Sequence, residues 1–103
     1  MRLLLVDDEP IARARLRRLA ARLDGVEVIG EAASGTEALR LARELAPDAL
    51  LLDVDMPGLD GLGVAEALEG PAVIFTTAHP QHALEAFEVG AHDYRLKPIA
   101  LER

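Results

Sequence analysis

The sequence predicts an α/β fold in which a parallel β-sheet is covered by helices on both faces. The stretch Leu50-Leu51-Leu52-Asp53 is apolar at three consecutive positions and ends on an acid. Such a run is typical of a strand that is buried on both faces. Similar short strands alternate along the chain with segments of helical spacing, in the order β-α-β-α-β-α-β-α-β. That alternation favours parallel strands joined by right-handed crossovers.

Composition restricts the classes of protein to which the chain can belong. A single domain is expected from 103 residues, of which 50% are hydrophobic. The net charge of −7 argues against direct binding of nucleic acid, because phosphate contacts need clustered lysines and arginines. The chain has no cysteine, which excludes disulfides, thiolate catalysis and cysteine-ligated metals. The apolar run 3–6 is too short for a signal peptide or a membrane span, so we expect a cytoplasmic protein without membrane contacts.

Three strands and two helices are predicted in the first half of the chain. The strands are expected at residues 2–6, 26–30 and 49–53. The first helix begins at Pro10, which suits a first helical turn, and runs to about Leu23. Five arginines lie on this helix: Arg13, Arg15, Arg17, Arg18 and Arg22. They are expected to form a solvated face, because no aromatic residues lie between them. Ser34 and Glu37 form a capping box that opens the second helix, which ends at Pro47.

The second half of the chain continues the same alternation. A short third helix is predicted to start at Asp60 or Gly61 and to continue through Leu68. The fourth strand is expected at residues 72–77, and a fourth helix from His79-Pro80 to Gly90. A fifth strand is expected at about residues 92–96. The last residue of the sequence, Arg103, falls where a fifth helix would begin.

Acidic side chains follow two of the predicted strands. Asp7 and Asp8 come directly after the first strand, and Asp53 ends the third. In the flavodoxin-like strand order 2-1-3-4-5, these strands are neighbours and the acids meet at the topological switch point. Carboxylates that lie this close together repel one another, and a divalent cation relieves the repulsion. Oxygen-only ligands predict Mg²⁺, or alternatively Mn²⁺.

A metal-bound carboxylate of this kind suits phosphoryl chemistry. An aspartate beside Mg²⁺ can act as a nucleophile towards phosphorus. The ammonium group of Lys97, after the fifth strand, can neutralise charge on the transferring group. A hydroxyl from Thr76 or Thr77, at the end of the fourth strand, can donate to a phosphoryl oxygen. These groups together predict a phosphoryl group carried on Asp53.

Four stretches resemble the receiver domains of two-component response regulators. They are Leu5 to Pro10, Leu52 to Gly61, Thr76 to Ala78 and Tyr94 to Pro98. The resemblance implies a CheY-like, three-layer fold with a five-stranded parallel sheet of order 2-1-3-4-5. Residues 75–79 and 83–87 are similar to the LytR/AlgR branch of these domains. The usual output of that branch is transcription through a LytTR DNA-binding domain.

The resemblance implies a role for each matched position. Asp53 would be the phosphoacceptor, and Asp8 and Asp53 would bind Mg²⁺ directly. Asp7 would act through water, and Asp55 would supply its backbone carbonyl. Thr77 and Lys97 would hold phosphoryl oxygens, and the Lys97-Pro98 peptide bond would be cis. Thr77 and Tyr94 would shift together on phosphorylation and bias the face formed by the fourth helix, fifth strand and fifth helix.

The resemblance also implies partners. A histidine kinase would supply the phosphoryl group, the protein's own effector domain would receive the signal, and activation would favour a homodimer. No turnover of an external substrate is expected. Residues 99–103 match only the beginning of the family's last helix, so we expect 1–103 to be a receiver domain cut before or within that helix, without an effector domain. A partner that supplies the missing helix is the alternative.

Three other classes of protein fit part of the pattern. Asp53-Val54-Asp55 resembles the Asp-x-Asp motif of haloacid-dehalogenase-like phosphatases, although Pro57 and the position on the third strand disfavour that class. A flavodoxin-type FMN binder fits the fold, but the acids after the first strand would repel the cofactor phosphate. A phosphorylation-independent interaction module is disfavoured because all the key positions are filled.

Overall fold

Eight helices and strands make up the part of the chain that the computed structural model describes, residues 1–77 and the backbone of residues 93–96. In chain order they are β1 (Arg2–Val6), α1 (Pro10–Ala20), β2 (Glu27–Ala32), α2 (Gly35–Leu45), β3 (Ala49–Asp53), α3 (Gly61–Ala67), β4 (Ala72–Thr77) and β5 (Asp93–Leu96). Within these residues, no helix combines the length and the apolar character that crossing a membrane requires.

The strands form one parallel sheet of order β2-β1-β3-β4-β5. Leu5 of β1 pairs with Leu51 of β3, and Asp53 at the end of β3 pairs with Thr76 of β4. The carboxyl ends of these central strands therefore lie at the same edge of the sheet, where open α/β folds place their ligands. The predicted α/β class and parallel sheet are confirmed.

Both faces of the central strands are buried, which explains their continuous apolar sequence. Because successive side chains of a strand point to opposite faces, neighbouring leucines enter different cores. Leu5 and Leu51 pack with Leu16 of α1 in one core. Leu52 and Phe75 belong to the other core, which α2 and α3 cover.

The predicted ends of three elements differ from the structure. Helix α1 ends at Ala20 rather than at Leu23, because the next residues form tight turns in which the Leu23 amide donates to the Ala20 carbonyl. Strand β2 covers Glu27–Ala32 and thus extends two residues beyond the predicted 26–30. Helix α3 stops at Ala67, because Leu68 has an extended backbone.

The capping box before α2 is confirmed in a slightly shifted form. The Ser34 hydroxyl accepts a hydrogen bond from the Glu37 amide at 3.2 Å. The Glu37 carboxylate accepts from the amide of Ala33, one residue before the cap, at 2.8 Å. The first bond satisfies an amide that the first helical turn leaves without a partner, and the second ties the residue before the cap to the same turn.

Several predictions fall on residues that the structure does not describe. They concern the fourth helix between His79 and Gly90, the side chain of Tyr94, Lys97, the cis bond before Pro98, and the start of a fifth helix. Strand β5 (Asp93–Leu96) falls within the predicted range 92–96 and pairs with β4 in parallel.

Candidate functional site

Three carboxylates meet at the carboxyl edge of the sheet. Asp7 follows β1 directly, Asp8 comes next, and Asp53 is the last residue of β3. One oxygen of each lies within 4.8 Å of the others. Asp7 and Asp53 are almost completely buried, with 0% and 1% of their surface exposed, whereas Asp8 is half-buried. The structure thus brings together the three acids that the sequence placed at neighbouring strand ends.

Local backbone hydrogen bonds orient two of these carboxylates in the same way. Asp7 Oδ1 accepts from the amide of Glu9 at 2.9 Å, and Asp53 Oδ1 accepts from the amide of Asp55 at 3.1 Å. In each case the side chain bonds the backbone two residues further on, which is a favoured arrangement where an aspartate begins a turn. Each turn therefore fixes its carboxylate towards the common site.

The loop after Asp53 is held closed at both ends. The Val54 amide donates to the Thr76 carbonyl at 3.0 Å, and the Gly61 amide donates to the Val54 carbonyl at 3.1 Å. Asp60 caps α3 by accepting from the Gly63 amide at 2.9 Å. These bonds return the chain beside the end of β3, so α3 begins directly against the strand that carries Asp53.

The two threonines that end β4 are both fully buried but differ in their hydrogen bonds. The Thr77 hydroxyl donates to Asp55 Oδ2 at 2.8 Å. Thr76 pairs with Asp53 in the sheet register, and among the described residues its hydroxyl has no hydrogen-bond partner. The sequence identified both hydroxyls but did not indicate the bond between Thr77 and the carboxylate of Asp55.

Arg13 of α1 is a site residue that the sequence did not single out. Its Nη1 atom donates to the backbone carbonyl of Asp7 at 2.8 Å, and its Nε atom donates to Glu31 of β2 at 3.2 Å. Arg17 binds the same carboxylate, with Nε at 2.5 Å from Oε2. The prediction of a solvated arginine face holds for Arg17, whose side chain is 54% exposed, but was wrong for Arg13, whose side chain is only 20% exposed. The spacing of four residues, which places both on one side of the helix, was the available signal.

The ion pairs at Glu31 change the titration of both partners. The hydrogen bond from Arg17 is the main cause that lowers the pKa of Glu31, and Arg13 lowers it further, although burial opposes both. The same hydrogen bond raises the pKa of Arg17. Glu31 thus remains charged at neutral pH and anchors α1 to the end of β2.

The three acids form a donor set that fits Mg²⁺. All the ligand atoms are carboxylate oxygens, which hard cations prefer over nitrogen or sulfur. Mg²⁺ binds oxygens at about 2.1 Å, so its opposite ligands lie about 4.2 Å apart. The observed separations of up to 4.8 Å need only small side-chain rotations to reach that geometry.

This fold and its acidic edge define a receiver domain. A family model for the response regulator receiver domain matches residues 3–103, and the chain belongs to that family. Receiver domains are signalling modules of two-component systems and are not enzymes that turn over an external substrate. They bind Mg²⁺ at their acidic pocket. Membership of this family argues against the phosphatase and flavodoxin alternatives.

Two curated relatives are regulatory proteins by name, and one of them is a transcriptional regulatory protein. The chain is 55% identical over 107 residues to the positive alginate biosynthesis regulatory protein of Pseudomonas aeruginosa, in a match that covers 99% of this chain and 43% of the relative. It is 42% identical over 106 residues to the transcriptional regulatory protein BtsR of Salmonella typhi, covering 100% of this chain and 44% of BtsR. The chain therefore spans less than half the length of these relatives.

Solved structures share the same fold. The receiver domain of the response regulator NarL from Mycobacterium tuberculosis has a TM-score of 0.90 and 35% identity, over 96% of this chain and 85% of that chain. A chain in the crystal structure of the CheX-CheY-BeF3-Mg²⁺ complex from Borrelia burgdorferi has a TM-score of 0.87 and 25% identity, over 97% of this chain and 80% of that chain. These matches confirm the CheY-like topology.

Proposed function

We propose that this domain accepts a phosphoryl group on Asp53 from a histidine kinase, in a reaction that depends on Mg²⁺. The observation that carries the proposal is the buried Asp53 carboxylate, which ends the central strand β3 and lies beside Asp7 and Asp8. A nucleophile buried among like charges needs a cation at the same place, and the donor set of this site suits one.

Each acid has its own part in holding the metal. Asp8 and Asp53 bind Mg²⁺ directly, Asp7 acts through a water molecule, and Asp55 contributes its backbone carbonyl. When bound, Mg²⁺ neutralises charge on the acids and on the phosphoryl oxygens. The solved complex that contains Mg²⁺ and BeF3 has a similar fold, which supports a Mg²⁺ site in this domain. The hydrogen bonds from the amides of Glu9 and Asp55 keep two of the carboxylates oriented.

The transfer step exchanges one bond to phosphorus for another. A carboxylate oxygen of Asp53 forms the new O–P bond while the P–N bond of the donor phosphohistidine breaks. The departing imidazole takes up a proton from solvent. Water later attacks the same phosphorus, which releases inorganic phosphate and restores the Asp53 carboxylate. The Asp55 amide holds Asp53 Oδ1 throughout, so the carboxylate keeps its direction.

Thr77, Lys97 and Tyr94 convert this covalent event into a signal. Thr77 and Lys97 hold phosphoryl oxygens, and the Lys97-Pro98 peptide bond is proposed to be cis. Thr77 and Tyr94 then shift together and change the face formed by the fourth helix, β5 and the fifth helix. We infer that this face controls an effector domain and favours a homodimer in the active state.

The output is proposed to be transcription through a LytTR-type DNA-binding domain. The support is the relative from Pseudomonas aeruginosa, which is 55% identical over this domain and is a regulatory protein of alginate biosynthesis by name. The remaining length of that relative leaves room for an effector domain. Residues 1–103 then act as the cytoplasmic receiver part of a response regulator.

Intact-mass spectrometry after incubation with acetyl phosphate tests the proposal. We expect one phosphoryl adduct of about 80 Da per chain on the wild type when Mg²⁺ is present, because Asp53 is a metal-assisted nucleophile. The adduct should be absent in Asp53→Ala and in wild type treated with EDTA. Asp24→Asn, which neutralises an exposed acid outside the site, should be phosphorylated normally. An unmodified wild type under every condition would contradict the proposal.

A further inference from the structure

We propose that the Asp55 side chain holds the Thr77 hydroxyl in the resting state and competes for it with the phosphoryl group. This inference rests on the proposed function, in which Thr77 donates to a phosphoryl oxygen. It assigns a role to the carboxylate of Asp55, which is separate from the role of its backbone carbonyl in binding Mg²⁺. Asp55 is thereby a positioning residue for the switch threonine.

The geometry at the end of β4 carries the inference. The Thr77 hydroxyl donates to Asp55 Oδ2 at 2.8 Å, an ordinary distance for a hydrogen bond from a hydroxyl group. Thr77 is fully buried, whereas Asp55 is exposed on the loop after β3. The amide of Asp55 donates to Asp53 Oδ1 at 3.1 Å, so this loop residue is tied to the phosphoacceptor and to the threonine at the same time.

The chemistry of the acceptor explains why the two bonds exclude each other. A threonine hydroxyl has a single proton to donate. The Asp55 carboxylate is an anionic oxygen acceptor, as a phosphoryl group on Asp53 would be. Donation to the phosphoryl group therefore requires that Thr77 leave Asp55. Asp55 is an exposed residue, so water can take the place of the threonine hydroxyl at its carboxylate.

Two effects of Asp55 on an incoming anion must be separated experimentally. Its charge repels a phosphoryl group in the same way as any nearby acid. Its hydrogen bond lowers affinity only when Thr77 can donate. A double-mutant cycle between Asp55→Ala and Thr77→Val isolates the second effect, because valine has nearly the shape of threonine without the hydroxyl.

The probe is the phosphoryl analogue BeF3⁻ together with Mg²⁺, and binding is measured by NMR titration of the 103-residue chain. In the wild-type background, Asp55→Ala should tighten BeF3⁻ binding about threefold to tenfold, the equivalent of one hydrogen bond to a charged group less its solvation. In the Thr77→Val background, the same substitution should have a smaller effect. Glu9→Gln, which neutralises another exposed acid at this edge, measures simple repulsion.

Stability supplies a second readout that moves in the opposite direction. Without BeF3⁻, Asp55→Ala should make the domain less stable, with a severalfold larger unfolding equilibrium constant, because the bond to Thr77 is lost. Lower stability combined with tighter BeF3⁻ binding is expected for a resting-state competitor. Substitution of a residue that merely supports the site would lower both the stability of the domain and its affinity for BeF3⁻.

Each other outcome contradicts the inference in a recognisable way. Unchanged or weaker BeF3⁻ binding in Asp55→Ala excludes competition for Thr77. If Asp55→Ala tightens BeF3⁻ binding equally with and without the Thr77 hydroxyl, charge repulsion alone explains the effect of Asp55. If the wild type binds no BeF3⁻ at all, that result contradicts the proposed function itself, and therefore also the competition for Thr77. That last result is distinct because it does not depend on Asp55.

Discussion

Gly61 lies so close to the backbone of Asp53 that a Cβ atom on Gly61 would be 2.2 Å from the Asp53 carbonyl oxygen. This contact lets α3 begin directly beside the end of β3. Gly61→Ala should lower the free energy of unfolding by about 3 kcal/mol or more, because backbone atoms on both sides cannot move apart without disturbing the strand. It should also reduce phosphorylation of Asp53 by acetyl phosphate. Urea unfolding and intact-mass spectrometry measure the two effects.

Gly63→Ala is the matched control for that prediction. A Cβ atom on Gly63 would meet the end of the flexible Leu59 side chain at 2.6 Å, and no backbone atom lies closer. Alanine is also the better helix former, by up to about 1 kcal/mol. Gly63→Ala should therefore lower the free energy of unfolding far less than Gly61→Ala does. Equal losses in the two variants would show that the contact with Asp53 is not the cause.

Arg13 should influence the affinity of the site for Mg²⁺ although it is no metal ligand. Its bond to the Asp7 carbonyl positions the turn that carries Asp7 and Asp8. Arg13→Met should weaken Mg²⁺ binding about tenfold, the lower end of the range for residues that orient metal ligands. An NMR titration with MgCl2 measures the affinity.

Arg17→Met provides the comparison for Arg13. Arg17 shares the bond to Glu31 with Arg13, but the bond to the Asp7 carbonyl comes from Arg13. The Mg²⁺ affinity of Arg17→Met should stay close to that of the wild type. Parallel losses in the two variants would mean that the ion pairs with Glu31, rather than the bond to Asp7, support the metal site.

Glu31 should give the domain a pH-dependent contribution to stability. Its pKa is lowered in the folded state, mainly by the hydrogen bond from Arg17. The contribution is therefore fully present above the ordinary value of about 4.5 and is lost as the pH falls through the lower folded-state pKa. The difference in unfolding free energy between wild type and Glu31→Gln should be constant near pH 7 and shrink below pH of about 4.5.

Glu44→Gln serves as the control for the pH series. Glu44 pairs with Arg40 at 3.3 Å, and more than half of each side chain is exposed. Water and salt weaken such a pair, so its removal should change stability little at any pH. If the difference in unfolding free energy between wild type and Glu31→Gln does not depend on pH, the ion pairs with the arginines do not stabilise the charged form of Glu31.

Substitution by glycine should have opposite effects on stability at the two alanines that follow helices α1 and α2. Ala46 directly follows α2 and has a left-handed backbone, φ 47°, whereas Ala21 directly follows α1 and has φ −63°. Ala46→Gly should stabilise the domain by about 0.5–1 kcal/mol, because glycine adopts the left-handed conformation without strain. Ala21→Gly should destabilise it by a similar amount. Thermal unfolding of both variants checks the sign, and a loss of stability in Ala46→Gly would contradict the argument.

The central strands were predictable because burial on both faces leaves a continuous apolar run, as at Leu50-Leu51-Leu52. The acids were predictable for a related reason, since parallel strands bring their carboxyl ends to one edge. Helix ends were less accurate, because the turn after Ala20 keeps helix-like bonds for three more residues. The partner of Arg13 is a backbone carbonyl, which has no signature in the sequence. The bond from Thr77 to Asp55 depends on the path of a loop, which spacing alone does not determine.

The strand order also governs when the site can exist during synthesis of the chain. Leu3 of β1 pairs with Ala49 of β3, a longer separation than in the pairings of β1 with β2 or of β3 with β4. That pairing brings Asp53 beside Asp7 and Asp8. Closing the longest loop costs the most chain entropy and tends to be slow. A nascent chain therefore lacks the acidic cluster until β3 has left the ribosome and docked on β1.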